Sequence, residues 1–354
     1  NHNIDNFNKF ASWKSGGQIY SIIYLHAENK NTLNKISNLN DNINHDLKLK
    51  DNQPPELMVM ILLESFIPRS ELKPQNFNSF LKKERYKSIT LEAPTFGGMS
   101  AKTEFEILCG IPELQTLGDM TFNFLGKTNA NICLPSLLKN NGYKTLSIVG
   151  TKPNFHNSYN AYKALGFEKS LSKDDLNLDD LDGVHPSDST IFNRAYNEIV
   201  KQNNEKLFLY IFTAAGHSPY SLNPSNRPKI SNDPYFDRIT YTEIELKNFL
   251  NKLNRIKPGS SILIAGDHST FESIKYLNIN SEKSKLMKVW FKSINSKQNI
   301  INCSQYFEIP KFFTGQKCHS NLSDTKNLIG RNKNMPGYEK NNDLILKLIK
   351  ESRK

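Results

Sequence analysis

The amino-acid sequence predicts an α/β protein in which a mostly parallel central sheet carries helices on both faces. Apolar runs of strand length alternate with segments of helical periodicity, which is the pattern of βαβ units. The central runs are continuously apolar, as expected of strands that are covered on both sides. The predicted strands cover residues 57–63, 89–91, 145–149, 207–212, 262–265 and 286–291.

Helical periodicity fills the segments between these runs and returns near the end of the chain. A basic amphipathic stretch at 340–353 predicts a last helix that packs against the domain. The other predicted helices cover residues 77–86, 100–109, 133–141, 156–165, 189–202 and 240–256.

Residues 1–56 differ in composition from the rest, since they are polar and rich in Asn, with one apolar run at 19–25. We interpret them as helices and a linker that pack against the main domain. Pro54 and Pro55 end this region, because proline stops a helix and favours extended geometry in the residue before it. The main domain is then expected over residues 57–354.

The bulk composition suits a folded domain with anionic partners. The chain has 354 residues, of which 37% are hydrophobic, so a packed core is expected. Lys and Arg total 46 against 35 for Asp and Glu, and the net charge of +11 favours acidic lipid headgroups or phosphorylated substrates. The basic residues are scattered without a nucleic-acid module, so we predict no nucleic-acid partner. No stretch approaches the ~20 apolar residues of a membrane span.

The four cysteines are Cys109, Cys133, Cys303 and Cys318. None forms a CxxC pair, which argues against a thiolate zinc site. They fall into two sequence-local pairs, which suits two disulfides in an oxidising compartment or four reduced, partly buried thiols. The composition leaves both interpretations open.

Polar side chains with metal-binding chemistry follow three of the predicted strands. Glu64 comes after the first strand, His217 follows the fourth, and Asp267 and His268 follow the fifth. Each residue alone is more typical of a helix cap, a surface position or a structural histidine. Because ligands of an open α/β sheet bind beyond the carboxyl ends of its strands, their coincidence is the stronger signal. Carboxylates and imidazole together suit a divalent ion such as Zn²⁺ or Mn²⁺.

Ser100 follows two glycines and opens a predicted helix. Gly97 and Gly98 permit a tight turn and close approach of a ligand. A helix N-terminus attracts phosphate, although the commonest role of a serine there is that of an N-cap. A bound metal would change that balance, because it lowers the pKa of a hydroxyl and makes it a nucleophile.

Four segments carry a family resemblance through their order and spacing. They are Glu64-Ser65-Phe66, the block from Phe96 to Gly110, His217-Ser218-Pro219-Tyr220, and Gly266-Asp267-His268. Together, over roughly residues 55–315, they resemble the lipoteichoic acid synthase and phosphoglycerol transferase branch of the alkaline-phosphatase/sulfatase superfamily. The Gly-Gly-x-Ser/Thr-x-x-x-Glu-Phe block is the most specific part, since Gly-Asp-His would fit the whole superfamily.

The resemblance implies a role for each of these residues. Glu64, Asp267 and His268 would hold one divalent ion, either Zn²⁺ or Mn²⁺. Ser100 occupies the position of the nucleophile, more often Thr, and would also contact the metal. His217 would stabilise the phosphoryl group or serve the leaving group.

The substrate-binding positions depart from the family pattern. Ser158 stands where an Arg is expected, and Val149 lies near the place of a common His. These departures leave the donor headgroup open. As substrate-binding residues we name His217, Asn157, His156 and Lys102.

The activity implied by the resemblance is transfer of a substituted, phosphoglycerol-like phosphoryl group from a phospholipid or other lipid-linked donor. The acceptor would be a cell-surface glycan or glycolipid, with a phospho-Ser100 intermediate. Members are usually anchored in a membrane, with the catalytic domain in the periplasm or otherwise outside the cytoplasm. We therefore expect an anchor ahead of residues 1–56, and disulfides, with Cys109–Cys133 and Cys303–Cys318 as the pairing.

Several alternatives accompany this hypothesis. The transferred group could be phosphoethanolamine or another phospho-substituent, or water could be the acceptor, as in a phosphodiesterase or phosphatase. A metal-free serine hydrolase would use Ser100 with a histidine and Asp267, but Lys102 replaces the second glycine of a nucleophile elbow. A binding domain for glycans is a non-enzymatic alternative. The sulfatase signature, Cys or Ser followed by x-Pro-x-Arg, is absent around Ser100.

Overall fold

A seven-stranded sheet forms the centre of the molecule, in the spatial order β2-β9-β8-β1-β7-β3-β4. The strands β8, β1, β7, β3 and β4 run parallel, while β9 is antiparallel to both β8 and β2. A separate two-stranded hairpin is made of β5 and β6. The strand bounds are β1 Leu57–Leu63, β2 Lys87–Glu92, β3 Lys144–Val149, β4 Lys169–Leu171, β5 Leu181–Asp182, β6 His185–Pro186, β7 Leu207–Phe212, β8 Ser261–Gly266 and β9 Leu286–Lys292.

The structure is a computed structural model, and it describes most of the chain from residue 47 onward. The predicted helices and linker at 1–56 lie almost entirely outside the described residues, so the boundary at residue 57 stays a prediction. The described ranges are 47–50, 54–72, 80–83, 86–114, 120–202, 205–223, 227, 229–277, 285–292, 303–318 and 337–354.

Helices surround the sheet, as the alternating pattern predicts. The helix expected over 240–256 begins earlier, at Pro234, because the Asp233 side chain accepts hydrogen bonds from the first free N–H groups. Of the segment predicted at 77–86, the described residues 80–83 are helical. The helix bounds are α1 Phe80–Lys83, α2 Ser100–Cys109, α3 Thr121–Phe124, α4 Leu134–Asn140, α5 Ser158–Leu165, α6 Asp188–Lys201, α7 Pro234–Ile256, α8 Phe271–Leu277, α9 Pro310–Thr314 and α10 Tyr338–Ser352.

The sequence reading missed the shortest elements, which are β4, the β5–β6 hairpin, α3, α8 and α9. Each has seven residues or fewer, too few to show a hydrophobic period. The six predicted strands are all present, and β1 and β7 have the predicted bounds. Every residue of β1, β7 and β8 is buried, which confirms that continuous apolar runs mark strands covered on both faces.

The last helix and both disulfides tie the periphery to the core. The apolar face of α10, including Ile345 and Leu348, is fully buried, so its predicted packing role is confirmed. Disulfides join Cys109 to Cys133 and Cys303 to Cys318, as expected. Among the described helices, none is both long enough and apolar enough to cross a membrane.

Candidate active site

The register of two neighbouring strands brings the predicted metal ligands together. Leu63 at the end of β1 pairs with Gly266 at the end of parallel β8. The next residue on each strand is an acid, Glu64 and Asp267, and both are buried. The carboxylates therefore lie side by side at the carboxyl edge of the sheet.

Three side chains at this edge have the geometry of a divalent-ion site. The ligand atoms of Glu64, Asp267 and His268 all lie within 4.8 Å of one another. Asp267 Oδ2 and His268 Nε2 are buried 3.3 Å apart, and neither has a hydrogen-bond partner among the described residues. Buried polar atoms without partners are costly, so these two atoms fit a cation that both would coordinate.

The second oxygen of Asp267 fixes the orientation of that carboxylate. Asp267 Oδ1 accepts a hydrogen bond of 2.7 Å from the Ser65 N–H and one of 2.8 Å from the His268 N–H. The Thr103 hydroxyl donates to the Asp267 carbonyl at 2.8 Å. These contacts orient Asp267 Oδ2 toward Glu64 and His268, while Oδ2 itself accepts no hydrogen bond from the described residues.

The electrostatics of Glu64 also favour a bound cation. Burial raises the pKa of the Glu64 carboxyl well above its usual range, and the neighbouring charge of Asp267 raises that pKa further. Two carboxylates this close are unfavourable unless a proton or a cation lies between them. A divalent ion would supply that charge.

Ser100 lies at the start of α2 and faces the same acids. Its hydroxyl donates to Glu64 Oε2 at 3.3 Å. The residue in the N-cap position is Met99, in the left-handed conformation with φ 65°, after Gly97 at φ 70° and Gly98 at φ 144°. Ser100 is therefore not the N-cap of this helix. Its hydroxyl is directed to the carboxylate of Glu64 instead.

Glu64, Ser100 and His268 line one cavity of about 260 Å³, and Asp267 is buried behind them. In the described part of the chain, four of the six non-glycine residues with positive φ line it, and strained backbone of this kind concentrates at functional sites. The lining residues are Glu64, Ser65, Gly97, Gly98, Met99, Ser100, Phe155, His156, His217, Ser218, Tyr220, His268, Thr270, Phe271 and Glu272.

The structure brings two of the four predicted substrate-binding residues to this cavity. His217 is exposed at its edge, with Nδ1 2.8 Å from the Ser218 carbonyl oxygen. His156 lines the same cavity and its ring contacts that of Phe155, with ring centroids 4.0 Å apart and the planes tilted by 55°.

Asn157 and Lys102 are placed elsewhere. The Asn157 amide donates to the backbone carbonyls of Phe122 and Leu125, each at 2.8 Å, and the residue lines a neighbouring cavity of about 760 Å³. Lys102 is not among the residues lining either cavity. Burial raises the pKa of the Glu113 carboxyl to about 7, and the charge of Lys102 opposes part of that rise.

Ser158, at the position where the family pattern has an Arg, is buried and directed into its own turn. Its hydroxyl donates to the carbonyls of Pro153, at 3.2 Å, and Lys152, at 3.4 Å. The side chain therefore makes no contribution to the cavity lining.

Sequence reasoning missed two groups of residues around the site. Glu104 belongs to the quoted motif, but its role was not assigned. It is buried against Tyr162 and Tyr210, whose hydroxyls donate to Glu104 Oε2. Phe271 and Glu272 line the cavity from the start of α8, a helix too short to be recognised from its apolar pattern.

Comparison with known proteins places the chain in one family. The family model described as Sulfatase matches residues 56–299. A capsular polysaccharide biosynthesis protein, RkpI, of Rhizobium meliloti (strain 1021) is 28% identical over 178 residues, which cover 49% of this chain and 33% of that protein. The chain thus spans about a third of the length of this curated relative.

Solved structures share the fold. The lipoteichoic acid synthase LtaP from Listeria monocytogenes superposes with a TM-score of 0.64 and 20% identity, over 81% of this chain and 78% of LtaP. The Streptococcus pyogenes phosphoglycerol transferase GacH, in complex with sn-glycerol-1-phosphate, gives a TM-score of 0.60 and 17% identity, over 95% of this chain and 93% of GacH. The predicted alkaline-phosphatase/sulfatase-like architecture is confirmed.

Proposed function

Since the chain belongs to the sulfatase family, we propose that it transfers a substituted phosphoryl group from a lipid-linked donor to a cell-surface glycan or glycolipid. The observation that carries this proposal is the 3.3 Å hydrogen bond from the Ser100 hydroxyl to Glu64 Oε2. It places a helix-initiating hydroxyl against a cluster whose ligand atoms converge within 4.8 Å. This arrangement supports Ser100 as the proposed nucleophile beside a proposed metal site, at a helix terminus suited to an anion.

The residues present fit a single divalent ion, Zn²⁺ or Mn²⁺. Glu64, Asp267 and His268 would hold it, with Ser100 as a fourth contact. A bound ion of this kind lowers the pKa of a neighbouring hydroxyl and offsets negative charge on phosphoryl oxygens. The atoms that support this assignment are Asp267 Oδ2 and His268 Nε2, buried without hydrogen-bond partners in the described structure.

The chain's own groups suit a two-step transfer. Ser100 Oγ, after its proton has passed to solvent, attacks the phosphorus, the bond to the lipid oxygen breaks, and a phospho-Ser100 diester forms. An acceptor hydroxyl then attacks the same phosphorus, and Ser100 leaves again as the alkoxide. His217, exposed at the cavity edge, is in position to give a proton to the departing lipid oxygen and to take one from the acceptor. His156 lines the cavity beside it and would contact the substrate.

The names of the relatives support transfer of a substituted phosphoryl group and an acceptor among surface polymers. GacH is a phosphoglycerol transferase, LtaP is a lipoteichoic acid synthase, and RkpI takes part in capsular polysaccharide biosynthesis. A phosphoglycerol-like group is the starting hypothesis, with phosphoethanolamine and other phospho-substituents as alternatives.

The disulfides and the net charge support a location in the cell envelope. Two disulfides are typical of proteins outside the cytoplasm. The net charge of +11 would attract the domain to anionic lipids. We therefore propose a membrane-anchored enzyme whose catalytic domain lies in the periplasm or outside the cytoplasmic membrane.

The test is headgroup transfer from radiolabelled phospholipid vesicles to a glycan acceptor. We expect label on the glycan, loss of transfer after exhaustive chelation, and recovery on addition of Zn²⁺ or Mn²⁺. Transfer that survives chelation would indicate a metal-free serine hydrolase. Label found only as free product would indicate a phosphodiesterase, and no turnover with metal bound would indicate a binding domain.

A further inference from the structure

A second cavity, an open groove of about 760 Å³, adjoins the catalytic cavity. His156 lines both of them, so the two spaces meet at this side chain. The volume lies within the range of about 300–1,000 Å³ that small-molecule sites occupy. A molecule held in the groove therefore lies next to the cavity that Ser100 lines. The other residues that line the groove are Asn123, Pro153, Asn154, Asn157, Tyr159 and Asn160.

The groove offers neutral polar groups without carboxylates, ammonium groups or guanidinium groups. Four of its seven described lining residues are Asn and none is Asp, Glu, Lys or Arg, in a chain of which 23% is charged. The side-chain amides of Asn123 and Asn154 have no hydrogen-bond partner among the described residues. An amide both donates and accepts, which is what a ligand rich in hydroxyls requires, whereas a polyanion requires cations. This lining therefore suits an uncharged polyhydroxyl compound.

Tyr159 adds an aromatic surface to the groove. The residue is 49% exposed, so much of its ring is open to a ligand. The Lys163 ammonium donates to the Tyr159 hydroxyl at 2.7 Å and lies 4.0 Å from the ring centroid, which restricts the orientation of the ring. A sugar ring has C–H groups on its faces and hydroxyls at its edge. It can therefore pack on the exposed part of the Tyr159 ring while its hydroxyls bond to the amides.

The wall of the groove is held in place by Asn157. Its amide donates to the Phe122 and Leu125 carbonyls, each at 2.8 Å, and its Oδ1 accepts from Asn160 Nδ2 at 2.8 Å. The backbone is left-handed at both His156 and Asn157, with φ 49° and 56°, where the chain turns between the two cavities. Because these contacts form without a ligand, binding in the groove requires little ordering of the wall.

Resting on the proposed function, we infer that this groove is the acceptor subsite and that it binds a neutral oligosaccharide. One sugar packs on Tyr159, and its hydroxyls bond to the Asn123 and Asn154 amides. The acceptor is then recognised as an uncharged glycan chain and not as an anionic polymer.

The position of His156 relates this subsite to the transfer step. A neighbouring sugar of the same chain passes His156 and brings one hydroxyl to the phosphorus on Ser100. The acceptor oxygen forms the new bond to phosphorus, the bond from phosphorus to Ser100 Oγ breaks, and His217 takes the acceptor proton. The groove thus holds the part of the glycan that does not react.

The experiment measures glycan binding directly, in the absence of a lipid donor. The metal-loaded protein is titrated with neutral oligosaccharides built from glucose, galactose, mannose or rhamnose. Oligogalacturonate and poly(glycerol phosphate) of similar length are the charged comparisons, and ligand-observed NMR gives the Kd of each. We expect at least one neutral oligosaccharide to bind about tenfold or more tightly than both charged polymers.

Variants of the groove test the location of that binding. Tyr159→Ala should weaken binding of the preferred oligosaccharide by about tenfold, and Asn154→Ala by about fivefold. Tyr159→Phe keeps the ring and should retain most of the affinity. In the transfer assay, Tyr159→Ala should raise the KM for the same oligosaccharide by a similar factor.

Tyr196→Ala is the matched control. Tyr196 also lies on a helix with a lysine ammonium near its ring, that of Lys252 at 5.8 Å from the centroid, but it lines neither cavity. Its replacement should leave the affinity for the oligosaccharide unchanged.

Neutral oligosaccharides that all bind no better than the charged polymers would overturn the inference, as would unchanged affinity in both Tyr159→Ala and Asn154→Ala. The proposed function stands in either case if Ser100 takes up a headgroup from phospholipid vesicles. Binding in the groove with no headgroup on Ser100 from any phospholipid would instead overturn the proposed function, and the acceptor role with it.

Discussion

The Ser100 hydroxyl lies 3.3 Å from Glu64 Oε2, across 36 residues of sequence. Glu64 ends the central strand β1, and Ser100 begins α2 after the Gly97-Gly98 turn. Because the left-handed Met99 takes the N-cap position, the serine hydroxyl is released from capping and faces the acids. This contact favours the proposed role of Ser100 as a nucleophile over that of a serine that only starts a helix.

Asp267→Asn is expected to abolish metal binding with little change to the fold. The Asn carbonyl oxygen can still accept the two backbone hydrogen bonds that Asp267 Oδ1 accepts, so the main loss is the charge at Oδ2. We expect metal affinity to fall by at least about a hundredfold. Plasma mass spectrometry of dialysed protein measures bound Zn²⁺ and Mn²⁺ per chain.

Asp237→Asn is the matched control for that change. Asp237 is buried and its Oδ1 accepts from the Ser231 N–H, but it lies outside the metal cluster. It should bind as much metal as the unmodified chain. Equal metal content in Asp267→Asn and Asp237→Asn would contradict the ligand assignment.

Ser100 substitutions separate the nucleophile from a structural role. Ser100→Ala removes Oγ at the first helical position, and turnover should fall by at least about a thousandfold while the fold persists. Ser100→Thr keeps a hydroxyl of similar reach, so we expect it to retain activity within about tenfold. Headgroup release from phospholipid vesicles measures both. Comparable activity of the Ala variant and the unmodified chain would exclude Ser100 as the nucleophile.

Glu104 is expected to make stability depend on pH. Burial raises its carboxyl pKa from 4.5 to about 7, despite the hydrogen bonds from Tyr162 and Tyr210. The folded state then binds a proton that the unfolded state releases between these two pH values. Stability from this group is therefore full below pH 4.5 and is lost as the pH rises toward 7.

Glu104→Gln removes this titration. Relative to the unmodified chain, the variant's free energy of unfolding should rise between pH 4.5 and pH 8 by up to about 3 kcal/mol. Urea unfolding at several pH values measures the difference. A difference that stays constant over this range would show that Glu104 is ionised throughout.

The Cys109–Cys133 disulfide is expected to stabilise the helix that presents Ser100. It joins the last residue of α2 to the residue before α4, across 24 positions of sequence. Replacing both cysteines by Ser should lower the free energy of unfolding by about 3 kcal/mol. Denaturant unfolding measures this loss. A double variant as stable as the unmodified chain would show that packing alone holds the two helices.

Much of the site could be predicted because strand ends are readable in sequence. The apolar runs before Glu64 and before Asp267 have clear ends, and two adjacent parallel strands necessarily bring those ends together. The same reasoning could not assign Asn157, whose amide is taken by the Phe122 and Leu125 carbonyls. That pairing depends on how two distant turns pack.

The N-cap interpretation of Ser100 and the unrecognised helix α8 also depend on features that the local sequence does not encode. The left-handed conformation of Met99 decides that Ser100 is not the cap, and no local preference of Met predicts it. Phe271 and Glu272 begin a seven-residue helix, too short for a hydrophobic period, so no signal in the sequence indicated that the Glu272 carboxylate lines the cavity.

The most direct test of the central claim is peptide mass spectrometry of the metal-loaded protein quenched during turnover with mixed phospholipids. We expect one headgroup phosphodiester mass on the peptide that contains Ser100, present in the unmodified chain and missing in Ser100→Ala. Steady turnover with no adduct on that peptide, or an adduct that persists in Ser100→Ala, would contradict Ser100 as the residue that carries the phosphoryl group.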